Sequence, residues 1–263
     1  MGGIDLEKLF SVAGKTALIT GGVSGIGAML ASAFVSAGAR VCITGRKADA
    51  LAAAVSRLEA DGDVVGIQAD LATPDGIATV VREFAARETQ LQVLINNAGQ
   101  TWGAPFAEFP AKGWGGVMAV NVQAPFALTQ GLLPLLAAGA SEADPARIIN
   151  IGSVYAQTAD VMKAYSYTAS KAAIHQLTRV MAHELAAQRI LVNAIAPGLF
   201  PSKMTDFLLK DDTARAALLR AIPLGRAGTP EDIAGLAMFL CSRAGSYLTG
   251  AIIPIDGGLL VAH

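Results

Sequence analysis

An α/β fold is what this sequence of 263 residues predicts: one doubly wound parallel sheet of about seven strands, with helices on both faces. Three observations predict it. Short apolar runs rich in β-branched residues alternate with longer helical patterns along the chain, which gives parallel strands joined by crossover helices. The runs are apolar throughout rather than at every second residue, as in strands covered on both sides. A glycine-rich stretch falls at the first strand-to-helix junction, where open α/β sheets bind ligands.

The elements follow in order. Residues 16–20 form the first strand and 28–37 the first helix, closed by Gly38 as a stop signal. A second strand over 41–44 leads to a helix over 48–61, ended by Asp61-Gly62. After a third strand at 64–68, Thr73 and Pro74 supply an N-cap and a first helical residue for a helix reaching 88. A fourth strand covers 91–95. The helical stretch 114–138 must bend or break near Pro125, which has no N–H to give. A fifth strand at 147–151, a long helix at 165–188, a sixth strand at 191–195, a capped helix at 229–241 and a last strand at 251–255 complete the chain. Residues 198–228 read as irregular and suit a lid over a pocket. No linker or repeat divides the sequence, so residues 1–263 read as one domain.

Composition narrows the function. The chain is 53% hydrophobic and 16% charged, and its mean hydropathy is +0.48. That raises a membrane reading, which fails: the most apolar stretch, 117–140, is interrupted by Asn121, Gln123, Thr129, Gln130 and two prolines, whereas a span needs roughly 20 mainly apolar residues. With 20 basic and 21 acidic residues the net charge is -1, and no basic stripe points to nucleic acid or an anionic membrane. Two cysteines, Cys42 and Cys241, make no disulfide framework, and Asp5 and Glu7 precede any apolar run, so a cytoplasmic protein without a signal peptide is expected. His175 and His183 lack carboxylate or cysteine partners, so no metal site is expected.

The loop Thr20-Gly-Gly-Val-Ser-Gly-Ile-Gly27 sits between the first strand and the first helix. Glycines let the backbone turn tightly and approach a pyrophosphate, which then meets the positive end of the helix. Gly21, Val23, Ser24, Gly25, Ile26 and Gly27 are the candidate cofactor contacts. An NAD site usually has an acid about 20 residues further on, for the ribose 2′-hydroxyl. Here the place reads Thr44-Gly-Arg-Lys47. Arg46 suits a 2′-phosphate by charge-assisted hydrogen bonds, so NADP(H) is favoured and NAD(H) stays open. Asp70 and Leu71 follow the third strand, with Asp70 read either as an adenine contact or as a turn residue. Asn97, Ala98 and Gly99 follow the fourth, where small residues let the backbone pass close under a cofactor.

Tyr167 and Lys171 are four apart on one helix and so share a face. Ser153 lies just beyond the fifth strand, and Asn121 lies in the preceding helix. Reducing a carbonyl needs a hydride and a proton. A phenol titrates near ~10, and reaching ~7 takes about 4 kcal/mol of preference for the phenolate. One ammonium at ~4 Å supplies about that much at an effective dielectric near 20. Tyr167 is therefore read as proton donor, Lys171 as the group that tunes it, Ser153 as the hydrogen bond that orients the carbonyl, and Asn121 as the holder of a water linking Lys171 to solvent. Trp102, Tyr155, Phe200, Met204 and Phe207 are candidates for an apolar substrate pocket.

Taken together, these residues resemble the short-chain dehydrogenase/reductase family, from Lys15 to Gly258. The match is carried by the glycine loop, Asn96-Asn-Ala-Gly99, Asn121, Ser153, Tyr167 with Lys171, and Pro197-Gly198. The resemblance implies a Rossmann-like fold, acid/base work by Tyr167, a Lys171 contact to the nicotinamide ribose, and Pro197, Gly198 and Ser202 beside the nicotinamide. It also implies a homotetramer or homodimer, with which the apolar tail 252–261 is consistent. Ser202 stands where a threonine is usual, and the loop lacks the arginine often found beside Ser24 in NADP users. Ser153 and Tyr167 are 14 residues apart, one more than in many members; Tyr165 lies at 12, but only Tyr167 has a lysine four residues on. Thr101-Trp-Gly103, residues 145–153, 196–205 and 253–256 resemble a bacterial 3-oxoacyl reductase subgroup associated with rhamnolipid synthesis, which shares the longer spacing. The expected function is NADPH-dependent reduction of a ketone or 3-oxoacyl group. The rivals are an NAD-dependent secondary alcohol or sugar dehydrogenase and a non-catalytic dinucleotide-sensing or scaffold protein.

Overall fold

The computed structural model describes residues 3–158, 163–202 and 212–262. Seven parallel strands form one sheet in the order β3-β2-β1-β4-β5-β6-β7. They are β1 (Thr16–Ile19), β2 (Arg40–Gly45), β3 (Val64–Gln68), β4 (Val93–Asn96), β5 (Ala146–Ile151), β6 (Ile190–Pro197) and β7 (Ile252–Ile255). In the middle of the sheet Leu18 pairs with both Cys42 and Leu94, and Leu94 with Ile148. Every residue of β1, β4 and β5 is buried, as continuous apolar runs require. One apolar cluster gathers Ile19, Phe34, Ile43 and Leu240 on one face; another gathers Leu18, Phe84, Leu94 and Leu132 on the other.

The helices are α1 (Leu6–Phe10), α2 (Gly25–Ser36), α3 (Ala48–Leu58), α4 (Pro74–Ala85), α5 (Lys112–Met118), α6 (Ala124–Gly139), α7 (Tyr165–Leu185), α8 (Asp212–Ala221) and α9 (Pro230–Cys241). Thr73 caps α4 by accepting from Gly76 N–H, and Thr229 with Asp232 forms a capping box on α9. Three expectations shift. Helix α2 begins at Gly25 rather than 28, because the glycines that read as loop build its first turn. The stretch 114–138 does not bend at Pro125 itself: a π-helical turn, Ala119–Gln123, separates α5 from α6, and Pro125 enters the first turn of α6, the part of a helix that tolerates proline best. The region 198–228 is not wholly irregular, since Ala, Leu and Arg build α8 within it. Among the described residues no helix is long and apolar enough to cross a membrane.

Chain order along the sheet reverses between β1 and β4, so the loops leaving their carboxyl ends diverge and open a crevice. All the candidate site segments follow the carboxyl ends of strands β1 to β6.

Candidate active site

The crevice is a cleft of about 440 Å³. One wall is backbone. Gly21 (φ +67) and Gly25 (φ +55) hold left-handed conformations that favour glycine. A Cβ on Gly27 would collide with Asn97 Nδ2, so Gly27 is needed for close packing behind the loop and does not itself line the cleft. Asn97 braces that loop by donating to the carbonyls of Thr20 (2.8 Å) and Gly21 (3.3 Å). Thr20 Oγ1 accepts from the N–H groups of Asn97 and Ala98, and Thr44 Oγ1 accepts from that of Gly21. Ser24 is the N-cap residue of α2 yet makes no side-chain capping bond, which leaves the helix N-terminus turned to the cleft. Arg46 closes this end, exposed at the end of β2.

The other wall is side chains. Ser153 is 3% exposed and caps a short turn by accepting from Tyr155 N–H. Lys171 is 5% exposed and donates to the carbonyl of Ile151 at 2.6 Å. Its ammonium stands 5.6 Å from the centre of the Tyr167 ring. Burial without a carboxylate partner brings Lys171 down to about 8. Burial also pushes the Tyr167 phenol up, opposed by its hydrogen bond with Ser153. The expected lowering of the phenol by Lys171 is therefore absent in this state. The ammonium is spent on Ile151, and desolvation of a would-be phenolate wins.

The sequence-predicted residues fall into three groups. Gly21, Val23, Ser24, Gly25, Ile26, Arg46, Asp70, Leu71, Asn97, Ala98, Gly99, Ser153, Tyr155, Tyr167, Lys171, Pro197, Gly198, Phe200 and Ser202 all line the cleft. Gly27, Asn121 and Trp102 do not. Asn121 lies buried in the π-helical turn, its Nδ2 donating to Gln100 O and Ser170 Oγ, both at 2.9 Å, and its Oδ1 accepting from Gln100 N–H. Its amide hydrogens are thus committed to bracing. In an α-helical register the partner of the Asn121 carbonyl would be residue 125, and Pro125 has no N–H to offer it. Trp102 packs beside Gly113 under the Lys112 ammonium. Met204 and Phe207 lie outside the described residues. The rival Tyr165 turns away and stacks edge-on against Phe106 and Phe109, 5.5 and 5.3 Å between ring centres. Sequence reasoning missed Thr44, Gln100, Val120 and Gly152, which also line the cleft. His183 is exposed and His175 buried, and the described residues hold no cluster of metal-ligating side chains.

Comparison with known proteins agrees with this geometry. A family model described as enoyl-(acyl carrier protein) reductase matches residues 21–260. The chain is 48% identical over 253 residues to the rhamnolipids biosynthesis 3-oxoacyl-[acyl-carrier-protein] reductase of Pseudomonas aeruginosa, covering 96% of this chain and 99% of the relative. It is 36% identical to the 5-keto-D-gluconate 5-reductase of Escherichia coli, covering 98% and 100%. A solved structure described as the Pseudomonas aeruginosa RhlG/NADP active-site complex superposes with a TM-score of 0.94 at 47% identity, covering 96% of this chain and 99% of that one. The chain belongs to the short-chain dehydrogenase/reductase family and is an oxidoreductase acting on CH–OH or C=O groups.

Proposed function

We propose that the chain is an NADPH-dependent carbonyl reductase for ketones of the 3-oxoacyl type. The observation that carries this reading is the pairing of walls: Ser153, Tyr167 and Lys171 face a glycine-built cradle that ends in Arg46, with no acid at the end of β2. Left-handed Gly21 and Gly25, and an α2 N-terminus without a side-chain cap, fit a pyrophosphate. Arg46 fits a 2′-phosphate. The relative at 48% identity and the NADP-bound neighbour support both the cofactor and the acyl-type ketone.

When bound, NADPH supplies a hydride to the carbonyl carbon. Ser153 donates a hydrogen bond to the substrate oxygen and fixes its direction. Tyr167 gives its proton to that oxygen as charge develops there. Burial holds the phenol protonated, the form from which it donates in the reduction proposed here. Lys171, still charged at neutral pH, stabilises the phenolate left behind. Asn121 holds the π-helical turn, and its carbonyl serves the water through which the proton is replaced. Asp70 and Leu71 border the adenine end; Pro197, Gly198 and Ser202 border the nicotinamide end. Tyr155 and Phe200 border the substrate.

The second reading is an NAD-dependent sugar or secondary alcohol dehydrogenase; the 36% identities to a keto-gluconate reductase and to a gluconate 5-dehydrogenase support its sugar substrate. Initial rates with NADPH and NADH across 3-oxoacyl esters and keto-sugars separate the two, and a strong NADH preference overturns the argument from Arg46. Tyr167→Phe is expected to abolish turnover while NADPH binding persists; full activity in that variant sinks the mechanism. The reading carries with it a homotetramer or homodimer, supported by exposed Trp114, Phe126 and Val180 on α5, α6 and α7. Two free, buried cysteines accord with a reducing cytoplasm.

A further inference from the structure

Helix α7 presents Tyr167, Lys171 and His175 at intervals of four, so the three share one face. His175 is 4% exposed, and its Nε2 has no hydrogen-bond partner. Burial, reinforced by the charges of Lys171 and Arg179, brings its imidazole down to about 4, so the ring is uncharged at neutral pH. An unpaired buried nitrogen carries a desolvation cost that an aliphatic side chain of similar size avoids.

The ring lies against Gly152. A methyl group built there would fall 2.6 Å from the ring Cδ2 and 3.3 Å from Cε1, and closer still to Nε2, where ordinary contact is 3.4–4 Å. The imidazole therefore occupies the volume that a side chain at position 152 would fill. Gly152 sits between the two partners of the proposed catalytic pair: the carbonyl of Ile151, which takes the Lys171 ammonium, and Ser153, which bonds Tyr167. From its far side the segment is tied to β6 by Gly152 N–H donating to Ile195 O at 2.7 Å.

We propose that His175 is a positioning residue: its ring, seated in the side-chain space of Gly152, clamps the Ile151–Ser153 turn against β6 so that the lysine's acceptor and the serine hydroxyl face one reacting centre. The clamp acts through shape, and the ring nitrogens take no part in the proton transfer. This rests on the roles proposed for Ser153 and Lys171. Those roles stand or fall with Tyr167→Phe, whereas the clamp is tested by a separate series.

The series is Gly152→Ala, His175→Ala, the double variant and His175→Leu, each assayed for kcat, KM, NADPH affinity and Tm. An added methyl displaces the turn by on the order of 1 Å, so Gly152→Ala is expected to lower kcat about a hundredfold, with NADPH affinity within about threefold. Removing the ring frees the space, and the double variant is expected to recover at least about tenfold of that loss, a strongly non-additive result. His175→Ala alone is expected to lower kcat about tenfold, while His175→Leu, which keeps bulk and loses the nitrogens, stays within about threefold of the parent. The proposal is overturned if the double variant is no faster than Gly152→Ala, if His175→Ala keeps full kcat, or if His175→Leu is as slow as His175→Ala. Should Gly152→Ala fail to fold, the contrast between His175→Leu and His175→Ala decides alone.

Discussion

Two lysines are buried at opposite ends of the sheet, and they are handled in opposite ways. Lys15, 6% exposed, enters β1 at the amino end of the strands and is paired with Asp144. Asp144 also holds Arg147, whose guanidinium is fully buried and bonds the carbonyls of Pro145 and Ser242. Lys171, at the carboxyl end, donates to the carbonyl of Ile151 and pairs with no carboxylate among the described residues. Burial lowers both lysines, but only at Lys15 does a carboxylate pull the other way. The molecule neutralises the buried cation at the amino end and leaves without a carboxylate the one that lines the cleft. A bare charge is costly to bury and for that reason acts strongly on its neighbours.

The sharpest way to break the comparison is Lys171→Met. The variant is expected to lose about a hundredfold or more in kcat, the usual scale for losing acid/base support, and to gain Tm at pH 7 because an uncompensated charge leaves the interior. Steady-state kinetics and thermal unfolding on the same sample check both. A fall in Tm in place of the rise would mean that the charge of Lys171 is compensated on folding, as that of Lys15 is by Asp144.

A pH titration of stability separates the ends next. Lys171 falls from 10.5 to about 8 on folding, so its burial cost is fully present below about 8. Between there and 10.5 the unfolded chain still binds a proton that the folded one has released, so stability rises with pH. The gap corresponds to about 3 kcal/mol. Relative to Lys171→Met, the parent is expected to gain up to that amount between pH 7 and 10.5 in denaturant titrations. A flat difference would mean that the lysine is not desolvated. The same loss of charge makes kcat/KM for reduction decline above about pH 8.

Asp144→Asn tests the other end. It strands Lys15 and Arg147 without a counter-charge, and breaking such a pair costs about 3–5 kcal/mol when fully buried. Asp144 is 37% exposed at its side chain, so about 2 kcal/mol is expected after screening. Burial alone would raise the Asp144 carboxyl, but hydrogen bonds from Lys15 and Arg147 hold it net below the usual range. Its stabilisation is therefore present at neutral pH and is lost as acid titrates it. Because the folded carboxyl titrates below the ordinary 3.8, chemical denaturation at pH 7 and at pH values under about 3.8 should show the variant's deficit shrinking only in that acid range, with kcat at pH 7 and 25 °C unchanged.

What sequence could and could not show follows from the same contrast. The seven strands were legible because each is a contiguous apolar run, and the Tyr167–Lys171 pair because four residues make one helical turn. The choice between Tyr165 and Tyr167 was legible from the lysine alone, and the structure adds that Tyr165 is held by Phe106 and Phe109. Contacts between distant segments were not legible. Nothing local marks Asn97 as the brace of the glycine loop, Asn121 as a bridge to Gln100 and Ser170, or Gly152 as the seat of the His175 ring. Glycine-rich sequence also hid the first turn of α2, since residues that weaken a helix elsewhere are there to bring the backbone close to a ligand.

The finest test is Lys15→Met. It removes a buried cation yet leaves Asp144 bridged to Arg147, so no charge is stranded. Methionine fills most of the volume of the lysine stem. Replacing one member of a compensated cluster by an apolar group is close to neutral, and a change of about 1 kcal/mol or less is expected, with kcat intact. Denaturant midpoints for Lys15→Met and Asp144→Asn measured side by side carry the argument. If the two fall equally, the pair rather than the carboxylate is what the amino end depends on. If Lys15→Met slows turnover, the two ends of the sheet are coupled, and the bare charge of Lys171 depends on the compensated one below it.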